Sequence, residues 1–447
     1  MDVLAAKIAD KSARVSVIGL GYVGLPLAVG FAKAGYQVLG VDVDPRKVAT
    51  LNNGRSHIQD VEDADVLAAV QAGRLSASND YDLLNGTDAI FICVPTPFDA
   101  MKAPDLTFIE QSARGIAARL QPGQLIVLQS TTYPGTTEEV VQPILERSGL
   151  RAGQDFHLVF SPERIDPGNK QYSAHNIPKV VGGLTPACTD LACQLFSHLT
   201  PEVHPVSTPR AAEMTKLLEN IFRSVNIALV NELALLMERM DINMWEVIEA
   251  ATTKPFGFMA FRPGPGVGGH CIPVDPYYLA WKAREFDFYT KFIELAAEVN
   301  AAMPDHVVRK IAAGLNLYGK PLRGAHVLVL GVAFKRDIDD ARNSPAQRVI
   351  ELLLDAGVQV QYHDPYVPKF QVGGNALHRR DMVLESVPLR EGLDRADAVA
   401  IITGHSTIDY GEVIARSRIV VDAVNVTGCL PEANGRVIRL GAPLPTG

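Results

Sequence analysis

Three glycines near the start of the chain, in the run Gly19-Leu-Gly-Tyr-Val-Gly24, constrain its fold more than any other feature. They follow the β-branched run Arg14-Val-Ser-Val-Ile and precede a helical stretch, Leu25 to Ala34. This order predicts a strand, a tight turn and a helix, which is how a doubly wound α/β domain begins. A GxGxxG turn in that context predicts a dinucleotide site; the alternative is a glycine turn that only packs the helix on the strand.

Asp42 ends the next predicted strand, Gln37 to Val41, about 20 residues beyond the first glycine. A carboxylate at this position binds the ribose hydroxyls of an adenosine and repels a 2′-phosphate, so the sequence favours NAD over NADP. The turn residues predicted to bind the cofactor are Gly19, Gly21, Tyr22, Val23 and Gly24.

Strands and helices continue to alternate along the first part of the chain, which predicts a parallel sheet with helices on both faces. Long helices without strands follow, and a second doubly wound unit begins with the strand His326 to Gly331 but lacks GxGxxG. We therefore predict an α/β protein with two Rossmann-like doubly wound domains joined by a central helical region that contains a long helix. The predicted domains are residues 1–205, 206–315 and 316–447.

The composition excludes several classes of protein. The net charge is −8 and no basic cluster is longer than Arg379-Arg380, so nucleic acid is not an expected partner. The five cysteines are scattered without CxxC or zinc spacing, so neither a disulfide framework nor a metal site is expected. No apolar run is long enough to span a bilayer, and Met1 to Lys11 lack the apolar core of a signal peptide, so we expect a cytoplasmic protein without a membrane partner.

Polar residues follow three predicted strands of the first domain, at the edge where such sheets bind ligands. Thr131 is placed to donate a hydrogen bond to a substrate or a water, and Glu163 to bind or activate a water. Each of them alone is also typical of a helix cap or a solvated loop. Together on one edge they form a site hypothesis, whose members are Thr96, Thr131, Glu163 and Arg164.

Lys216 and Asn220 lie four residues apart on a long predicted helix, Ala211 to Met240, and so project from the same face. They indicate either a solvated polar stripe or a lysine charge and an amide donor that stabilise the oxygen of an alcohol becoming an aldehyde. The apolar positions of the same helix predict burial against a partner subunit or an internal spine between the flanking domains.

Cys271 lies in a bed of glycine and proline, Gly264-Pro-Gly-Val-Gly-Gly-His-Cys-Ile-Pro-Val-Asp-Pro276, where the backbone can approach a ligand closely. Asp275 follows four residues later, close enough to orient or activate the thiol or a water beside it. The alternative is a glycine-rich surface loop with an incidental cysteine. Lys335, Arg336 and Arg342 occupy the first connection of the second doubly wound unit, where they predict either a phosphate site or an exposed basic loop.

Six motifs in order over nearly the whole chain resemble those of the UDP-glucose/GDP-mannose dehydrogenase family. They are Gly19-Leu-Gly-Tyr-Val-Gly-Leu-Pro26, Ser130-Thr-Thr-Tyr-Pro-Gly-Thr136, Phe160-Ser-Pro-Glu163, Glu213-Met-Thr-Lys-Leu-Leu-Glu-Asn220, Gly268-Gly-His-Cys-Ile-Pro-Val-Asp275, and Phe334-Lys followed by Asp340-Ala-Arg-Asn-Ser-Pro345.

The resemblance implies an NAD-binding first domain, a helical dimerisation domain and a nucleotide-sugar-binding third domain. It also implies a four-electron oxidation in which the C6 alcohol of a UDP-sugar becomes a carboxylate at the expense of two NAD. Cys271 would capture the C6 aldehyde as a thiohemiacetal, and a second hydride transfer would convert that adduct to a thioester.

The resemblance also assigns the remaining roles. Lys216 and Asn220 would stabilise the oxyanion, Asp275 would assist the cysteine and water, and Glu163 with Thr131 would position the hydrolytic water. Cofactor contacts are expected from Thr96, Thr131 and Arg342 besides the glycine turn and Asp42. Substrate contacts are expected from Glu163, Arg164, Lys216, Asn220, Arg262, Gly268 and Lys335. One departure is Asn343, where the family usually has Glu after the arginine.

The motifs around Glu163, Cys271 and His363 are most similar to the branch of the family that oxidises UDP-N-acetylhexosamines. The expected substrate is UDP-N-acetylglucosamine, with UDP-N-acetylgalactosamine, UDP-N-acetylmannosamine and UDP-glucose as alternatives, and the expected product serves surface polysaccharide synthesis. Two rivals are a single-hydride dehydrogenase of the 3-hydroxyacid type, which has no use for Cys271, and a silent scaffold that binds NAD and nucleotide sugar.

Overall fold

A computed structural model describes residues 3–58, 60–99, 103–165, 176–373, 381–430 and 436–444. The chain divides into two compact units, Met1–Glu219 and Asn220–Gly447. Some features named from the sequence lie wholly or partly outside the described residues: the end of the Glu163 motif at residues 166–168, the Arg379-Arg380 pair, and the first two residues of the Met1 to Lys11 segment.

The first unit is built on an eight-stranded sheet in the order β3-β2-β1-β4-β5-β6-β7-β8. All neighbouring strands are parallel except β6 and β7, which are antiparallel. The order reverses between β1 and β4, which is the switch point where doubly wound sheets bind ligands. The strands are β1 (Arg14–Ile18), β2 (Gln37–Val41), β3 (Leu75–Ser78), β4 (Ala89–Ile92), β5 (Leu125–Leu128), β6 (His157–Phe160), β7 (Lys179–Gly183) and β8 (Val203–Val206).

Helices cover both faces of this sheet, and a buried apolar cluster lies on each side. Two of the helices begin with a side-chain cap followed by proline, Asp44-Pro45 and Thr185-Pro186, which satisfies an amide of the first turn. The helices are α1 (Val3–Ala9), α2 (Gly24–Ala34), α3 (Pro45–Asn52), α4 (Asp63–Gln71), α5 (Thr107–Ala117), α6 (Gln142–Leu145), α7 (Pro186–Phe196) and the first part of α8 (Pro209–Arg239).

The sequence from Thr136 to Arg147 predicts one continuous helix, and this prediction is wrong. The segment forms a π-helical turn, Thr137–Val141, before α6 and a 3₁₀ turn after it, Glu146–Ser148. Pro143 explains part of the difference, since it has no N–H to donate to the carbonyl of residue 139 and so interrupts the α-helical pattern.

The second unit contains a parallel sheet in the order β10-β9-β13-β14-β15, with its switch point between β9 and β13. An antiparallel hairpin, β11 with β12, follows β10. The strands are β9 (His326–Leu330), β10 (Gln359–His363), β11 (Lys369–Gly373), β12 (Asp381–Glu385), β13 (Ala398–Ile401), β14 (Val420–Asp422) and β15 (Val437–Arg439). The helices are the rest of α8, then α9 (Met244–Thr252), α10 (Asp275–Ala283), α11 (Lys291–Leu317), α12 (Pro345–Asp355), α13 (Leu389–Arg395) and α14 (Tyr410–Arg416).

These two units confirm the predicted α/β class, with two Rossmann-like sheets and long helices between them in the chain. Helix α8 is 31 residues long, and by length and composition alone it could cross a membrane, which differs from the expectation of no such stretch. Polar residues such as Asn226 and Glu232 divide its apolar positions, so no continuous apolar run is visible in the sequence. A single helix of this kind is weak evidence for a membrane span, because long core helices share its composition.

Candidate active site

The glycine turn between β1 and α2 has the geometry of a dinucleotide-binding turn. Gly19 has a φ of +89°, and a Cβ there would lie 2.5 Å from the Cys93 carbonyl oxygen. A Cβ on Gly24 would lie 1.8 Å from the Gly19 carbonyl oxygen, so this glycine permits the close packing of helix on strand. A Cβ on Gly21 would meet no atom within 4 Å, which leaves its backbone open to a ligand. Tyr22 is exposed, and Val23 directly precedes α2.

Asp42 lies at the end of β2 and turns its carboxylate toward the glycine turn. It accepts hydrogen bonds from the Leu20 N–H at 2.8 Å and the Asp44 N–H at 2.9 Å, and the Lys47 ammonium lies 3.3 Å away. A carboxylate has about four acceptor positions, so Asp42 retains the capacity to bind a ribose hydroxyl. The open face of Gly21 and this acid both fit an NAD molecule.

The loops after β4 and β5 are tied together at the switch point. The Thr96 hydroxyl donates to the Thr131 carbonyl at 2.8 Å, and the Ser130 hydroxyl donates to the Val94 carbonyl at the same distance. The two threonines predicted from the sequence therefore lie side by side, with Thr131 half-buried.

Glu163 follows β6 and is held by two lysines. Its carboxylate accepts from the Lys179 ammonium at 2.6 Å and from the amides of Arg164 and Ile165. The Lys216 ammonium donates to the Glu163 backbone carbonyl at 2.7 Å. Burial by itself would raise the pKa of Glu163, but Lys179, the Arg164 amide and Lys216 outweigh it and lower the pKa.

Arg164 forms a separate ion pair with Glu219. Its guanidinium donates to Glu219 at 2.6 Å and to the Pro178 carbonyl at 2.9 Å. The structure thus gives this predicted substrate residue a second role, which is to fix the segment that carries Glu163.

Glu213 ties α8 to the loop after β5. It accepts from the amides of Gly135 and Thr137 and from the Thr137 hydroxyl, at 2.6 to 2.9 Å. Burial dominates over these hydrogen bonds and raises the pKa of Glu213. Glu213 lies three residues before Lys216 in the sequence. Its partners lie about 76 residues away, and no spacing rule reveals them.

Lys216 and Asn220 are both buried on α8, which excludes the solvated polar stripe. Asn220 donates its amide to the Asp275 carboxylate and accepts from Arg223. The amide predicted to act on the C6 oxygen is therefore already linked to the acid predicted to act on Cys271.

Asp275 closes the turn that presents Cys271. It is buried at the first turn of α10, and its backbone N–H donates to the Cys271 carbonyl at 2.8 Å. The Val274 N–H donates to the same carbonyl at 3.2 Å. These two amides fix the cysteine relative to the start of α10.

The Cys271 loop rests on the connection between β9 and α12. The Gly269 N–H donates to the Arg342 carbonyl at 3.1 Å, and the Asn343 side chain donates to the Gly269 carbonyl at 3.1 Å. A Cβ on Gly268 would lie 2.7 Å from Phe334 and 3.0 Å from the Asn343 carbonyl oxygen, so only glycine allows this approach. Cys271 is half-buried beside these contacts.

His270 precedes the cysteine and faces Asp340 at 3.8 Å. Partial burial and the positive charge of Arg342 lower the pKa of His270 to about 4, although Asp340 acts in the opposite direction. The imidazole is therefore neutral at physiological pH.

The basic residues of the same connection are placed differently from one another. Lys335 is half-buried, whereas Arg336 and Arg342 are exposed. Arg342 forms an ion pair with Asp340 at 2.6 Å. Arg262 is exposed in the irregular segment before the Cys271 loop.

Asp364 and His405 stabilise the connection between β9 and α12, and the histidine is not predicted from the sequence. His405 is fully buried; its Nδ1 accepts from the Asp337 N–H at 3.0 Å, so its proton lies on Nε2 and is donated to Asp364 at 3.0 Å. Asp364 also accepts from the amides of Val332 and Ala333. Across the described ranges, no group of three or more His, Cys, Asp or Glu side chains is placed to hold a metal ion.

Comparison with known proteins assigns the family. Residues 13–200, 210–302 and 328–428 match the NAD binding, central and UDP binding domains of the UDP-glucose/GDP-mannose dehydrogenase family. The UDP-N-acetyl-D-glucosamine 6-dehydrogenase of Pseudomonas aeruginosa is 39% identical over 80% of this chain and 84% of its own length. An NDP-N-acetyl-D-galactosaminuronic acid dehydrogenase of Ralstonia nicotianae is 35% identical over 91% of this chain and 95% of its own.

A solved structure agrees with these matches. The structure of UDP-D-ManNAc dehydrogenase from Pyrococcus horikoshii superposes with a TM-score of 0.86 at 32% identity, over 96% of this chain and 99% of that one. The chain therefore belongs to the UDP-glucose/GDP-mannose dehydrogenase family and is an NAD-dependent nucleotide-sugar 6-dehydrogenase that takes a UDP-sugar.

Proposed function

We propose that this enzyme oxidises the C6 hydroxyl of a UDP-N-acetylhexosamine, with UDP-N-acetylglucosamine as the substrate, to a carboxylate at the expense of two NAD. Relatives named for N-acetylglucosamine, N-acetylgalactosaminuronic acid and N-acetylmannosamine support the hexosamine class. Among these relatives the identity is highest for the N-acetylglucosamine enzyme, which favours that sugar.

The observation that carries the proposal is the linkage of Asn220 to Asp275 and of Asp275 to Cys271. The Asn220 amide donates to the buried Asp275 carboxylate, and the Asp275 backbone N–H donates to the Cys271 backbone carbonyl, so one hydrogen-bonded unit holds the amide, the acid and the residue that bears the thiol. A single-hydride dehydrogenase has no chemical use for this thiol, whereas a four-electron enzyme needs a nucleophile that retains the aldehyde.

In the first oxidation, Lys216 and Asn220 stabilise the developing charge on the C6 oxygen. Both are buried, so their charge and dipole act with little screening by water. Bound NAD supplies the hydride acceptor for each of the two oxidations.

In the second oxidation, the Cys271 sulfur adds to the C6 aldehyde and the thiohemiacetal is oxidised to a thioester. Gly268 and Gly269 let the Cys271 loop pack closely on Phe334. Asp275, whose N–H donates to the Cys271 carbonyl, orients the thiol or a water beside it. The thioester is then hydrolysed by a water that Glu163 and Thr131 position.

The remaining assignments are proposals of the same kind. Tyr22, Val23, Thr96 and Arg342 contact the cofactor with the glycine turn and Asp42, and Arg164, Arg262, Gly268 and Lys335 contact the UDP-sugar with the buried groups described above. The proposed domain boundaries lie near residues 205 and 315.

We also propose a homodimer through the central helical region. Helix α8 exposes Phe222, Leu229 and Leu236, with exposed fractions of 46%, 52% and 50%. These positions repeat at intervals of seven residues, as in a helix seam that packs against another helix. A cytoplasmic dimer that feeds surface polysaccharide synthesis is the proposed setting.

The test is the molar ratio of NADH formed to UDP-N-acetylglucosamine consumed, run to completion with excess NAD. We expect a ratio of two, with Cys271→Ser unable to turn over although it still binds NAD. Cys429→Ser is the matched control, because Cys429 is exposed and lies apart from the site residues in the chain.

A ratio of one would favour the single-hydride rival, and unchanged turnover by Cys271→Ser would exclude the thioester route. If no NADH forms, the same measurement with UDP-N-acetylgalactosamine, UDP-N-acetylmannosamine and UDP-glucose identifies the sugar. Absence of NADH with all four, while NAD and UDP-sugar still bind, would indicate the silent scaffold.

A further inference from the structure

Glu163 accepts hydrogen bonds from two lysines on different elements, and only one of these lysines belongs to the predicted site. Lys216 of α8 bonds to the backbone carbonyl of Glu163, whereas Lys179, the first residue of β7, bonds to its carboxylate. Lys179 is among the most deeply buried lysines that the structure describes, with 3% of its side chain exposed. A buried ammonium is rare unless it is paired with a buried acid.

The hydrogen bonds of Glu163 leave one side of its carboxylate open. Oε1 accepts from the Arg164 N–H at 2.7 Å and the Ile165 N–H at 3.1 Å, and Oε2 accepts from Lys179 at 2.6 Å. Each carboxylate oxygen has about two acceptor positions, so Oε2 can take one further donor. The side chain keeps 10% of its surface exposed.

The surroundings of Lys179 leave it little freedom. Phe196 of α7 lies beneath the ammonium, with its ring centre 5.9 Å from Nζ. Pro178, the preceding residue, holds the Arg164 guanidinium through its carbonyl, and Glu219 of α8 holds the same guanidinium. The start of β7 therefore fixes both Glu163 and the residue after it.

The charged and titratable groups that face Glu163 come from four elements. They are Lys179 on β7, Lys216 on α8, Arg164 on the segment after β6, which is paired with Glu219 of α8, and Cys93 after β4. Burial opposes ionisation of Glu163, and Lys179 is the largest influence in the other direction. Loss of Lys179 would therefore raise the pKa of Glu163.

We propose that Lys179 is a positioning residue for the hydrolytic step: its ammonium keeps the Glu163 carboxylate ionised and holds it in one orientation, with Oε2 directed at the attacking water. This inference rests on the proposed role of Glu163 in thioester hydrolysis. It predicts that Lys179 acts on the second half of the reaction and leaves the first hydride transfer intact.

The step that Lys179 supports is balanced without any further reactant. The water oxygen bonds to the thioester carbon, the carbon–sulfur bond breaks, and one water proton returns the Cys271 sulfur to the thiol. The other proton leaves with the carboxylic acid product, which ionises in solvent. The ionised Glu163 accepts a hydrogen bond from the water and so directs the lone pair of the water oxygen at the thioester carbon. A protonated Glu163 would present a hydrogen-bond donor to the water instead.

The test compares Lys179→Gln and Lys179→Met with Lys179→Arg. We expect the two neutral variants to lose at least about tenfold in turnover at pH 7 and to accumulate a covalent adduct on Cys271, seen by intact-protein mass spectrometry. Formation of the first NADH per site, followed in a rapid-mixing instrument, should stay within about twofold of the original enzyme. The arginine variant keeps the charge and should recover most of the turnover.

The pH dependence distinguishes positioning from a loss of folded structure. Because loss of Lys179 raises the pKa of Glu163, the turnover of Lys179→Gln should increase with pH over a range in which the original enzyme is flat. Lys179→Gln in a Glu163→Gln background should add little further loss. An unchanged pH profile, additive losses, or equal slowing of the first hydride transfer would overturn the proposal.

A readout apart from activity separates this proposal from the function on which it rests. Infrared difference spectra of protein with isotope-labelled glutamate, with Glu163→Gln as the reference, report whether Glu163 is protonated. A protonated band that persists to higher pH in Lys179→Gln than in the original protein supports the proposed role of Lys179. It does so even if no adduct on Cys271 is ever found, in which case the thioester route alone fails. The same pH dependence of the band in both proteins overturns the proposal whatever the activity.

Discussion

Asn343 anchors the Cys271 loop, and its replacement should loosen that loop by a predictable amount. The residue has a φ of +52°, in the left-handed region that asparagine tolerates better than most side chains. Its side-chain amide donates to the Gly269 carbonyl at 3.1 Å. The same residue is the one departure from the family pattern, which has glutamate at this position, so the structure gives the departure a physical role.

The expected free energies follow from these two features. Asn343→Gly removes the hydrogen bond, worth about 1 kcal/mol, but places no Cβ in the left-handed conformation. Asn343→Ala removes the same bond and adds roughly 1 kcal/mol of backbone strain. The opening equilibrium of the loop should therefore increase about fivefold for glycine and about thirtyfold for alanine, since 1.4 kcal/mol is a factor of about ten.

Hydrogen exchange of the Gly269 amide measures this opening directly. That N–H donates to the Arg342 carbonyl when the loop is docked, so its exchange rate follows the opening equilibrium. The Val332 amide is the matched control in the same unit, because it donates to the buried Asp364 and should keep its protection in both variants.

Equal acceleration of the Gly269 amide in Asn343→Gly and Asn343→Ala would show that the left-handed backbone contributes nothing. No acceleration in either variant would show that the amide bond does not hold the loop. Asn343→Glu, which restores the residue of the family pattern, should behave like the alanine variant, because it also lacks the asparagine amide and carries a Cβ in the left-handed conformation.

Three further predictions test other parts of the site. Gly21→Ala should weaken NAD binding at least about tenfold without changing the melting temperature, because its Cβ meets no atom within 4 Å. Gly24→Ala should lower the melting temperature, because its Cβ would lie 1.8 Å from a carbonyl oxygen. Equal effects of the two variants on the melting temperature would contradict this. Asp364→Asn should destabilise the second unit by about 3 kcal/mol in chemical denaturation. Burial acts to raise the pKa of Asp364, but hydrogen bonds from His405 and from backbone amides outweigh it and lower the pKa. The original protein should therefore lose this stability as the pH falls. His270→Gln should reduce the loss of stability on acidification, because the unfolded histidine binds a proton near pH 6.5 and the folded one only near pH 4; an unchanged slope between those values would show that His270 is not shielded.

The sequence predicts the features that depend on local chemistry. The glycine turn, the acid at the end of β2 and the alternation of strands and helices follow from backbone geometry and hydrophobic periodicity, and the structure confirms the α/β class. Cys271 and Asp275 could be paired from a spacing of four residues, and the structure joins them through one turn.

Contacts between distant parts of the chain were beyond prediction. Lys179 begins a short strand, where a lysine is typical of an exposed edge, and its partner Glu163 follows an antiparallel neighbour. Only the pairing of β6 with β7 brings the two side chains together. His405 is also unremarkable in sequence, because its role depends on the ends of three strands meeting at one edge of the second sheet.

Asp42 and Asp364 follow the second strand of their respective sheets but differ in how many hydrogen bonds they accept from the protein. Asp42 accepts hydrogen bonds from three groups, the amides of Leu20 and Asp44 and the ammonium of Lys47, and keeps acceptor capacity. Asp364 accepts from five, which are His405 and the amides of Val332, Ala333, Tyr366 and Val367.

A carboxylate with about four acceptor positions is saturated by such a set, so Asp364 has no capacity left for a ribose hydroxyl. Its hydrogen bonds instead stabilise the connection that bears Lys335 and, through Asn343, contacts the Cys271 loop. The acid after the second strand is therefore structural in the second sheet, whereas it can bind a ligand in the first. The lack of a GxGxxG turn in that unit agrees with this difference, because internal hydrogen bonds shape its first connection.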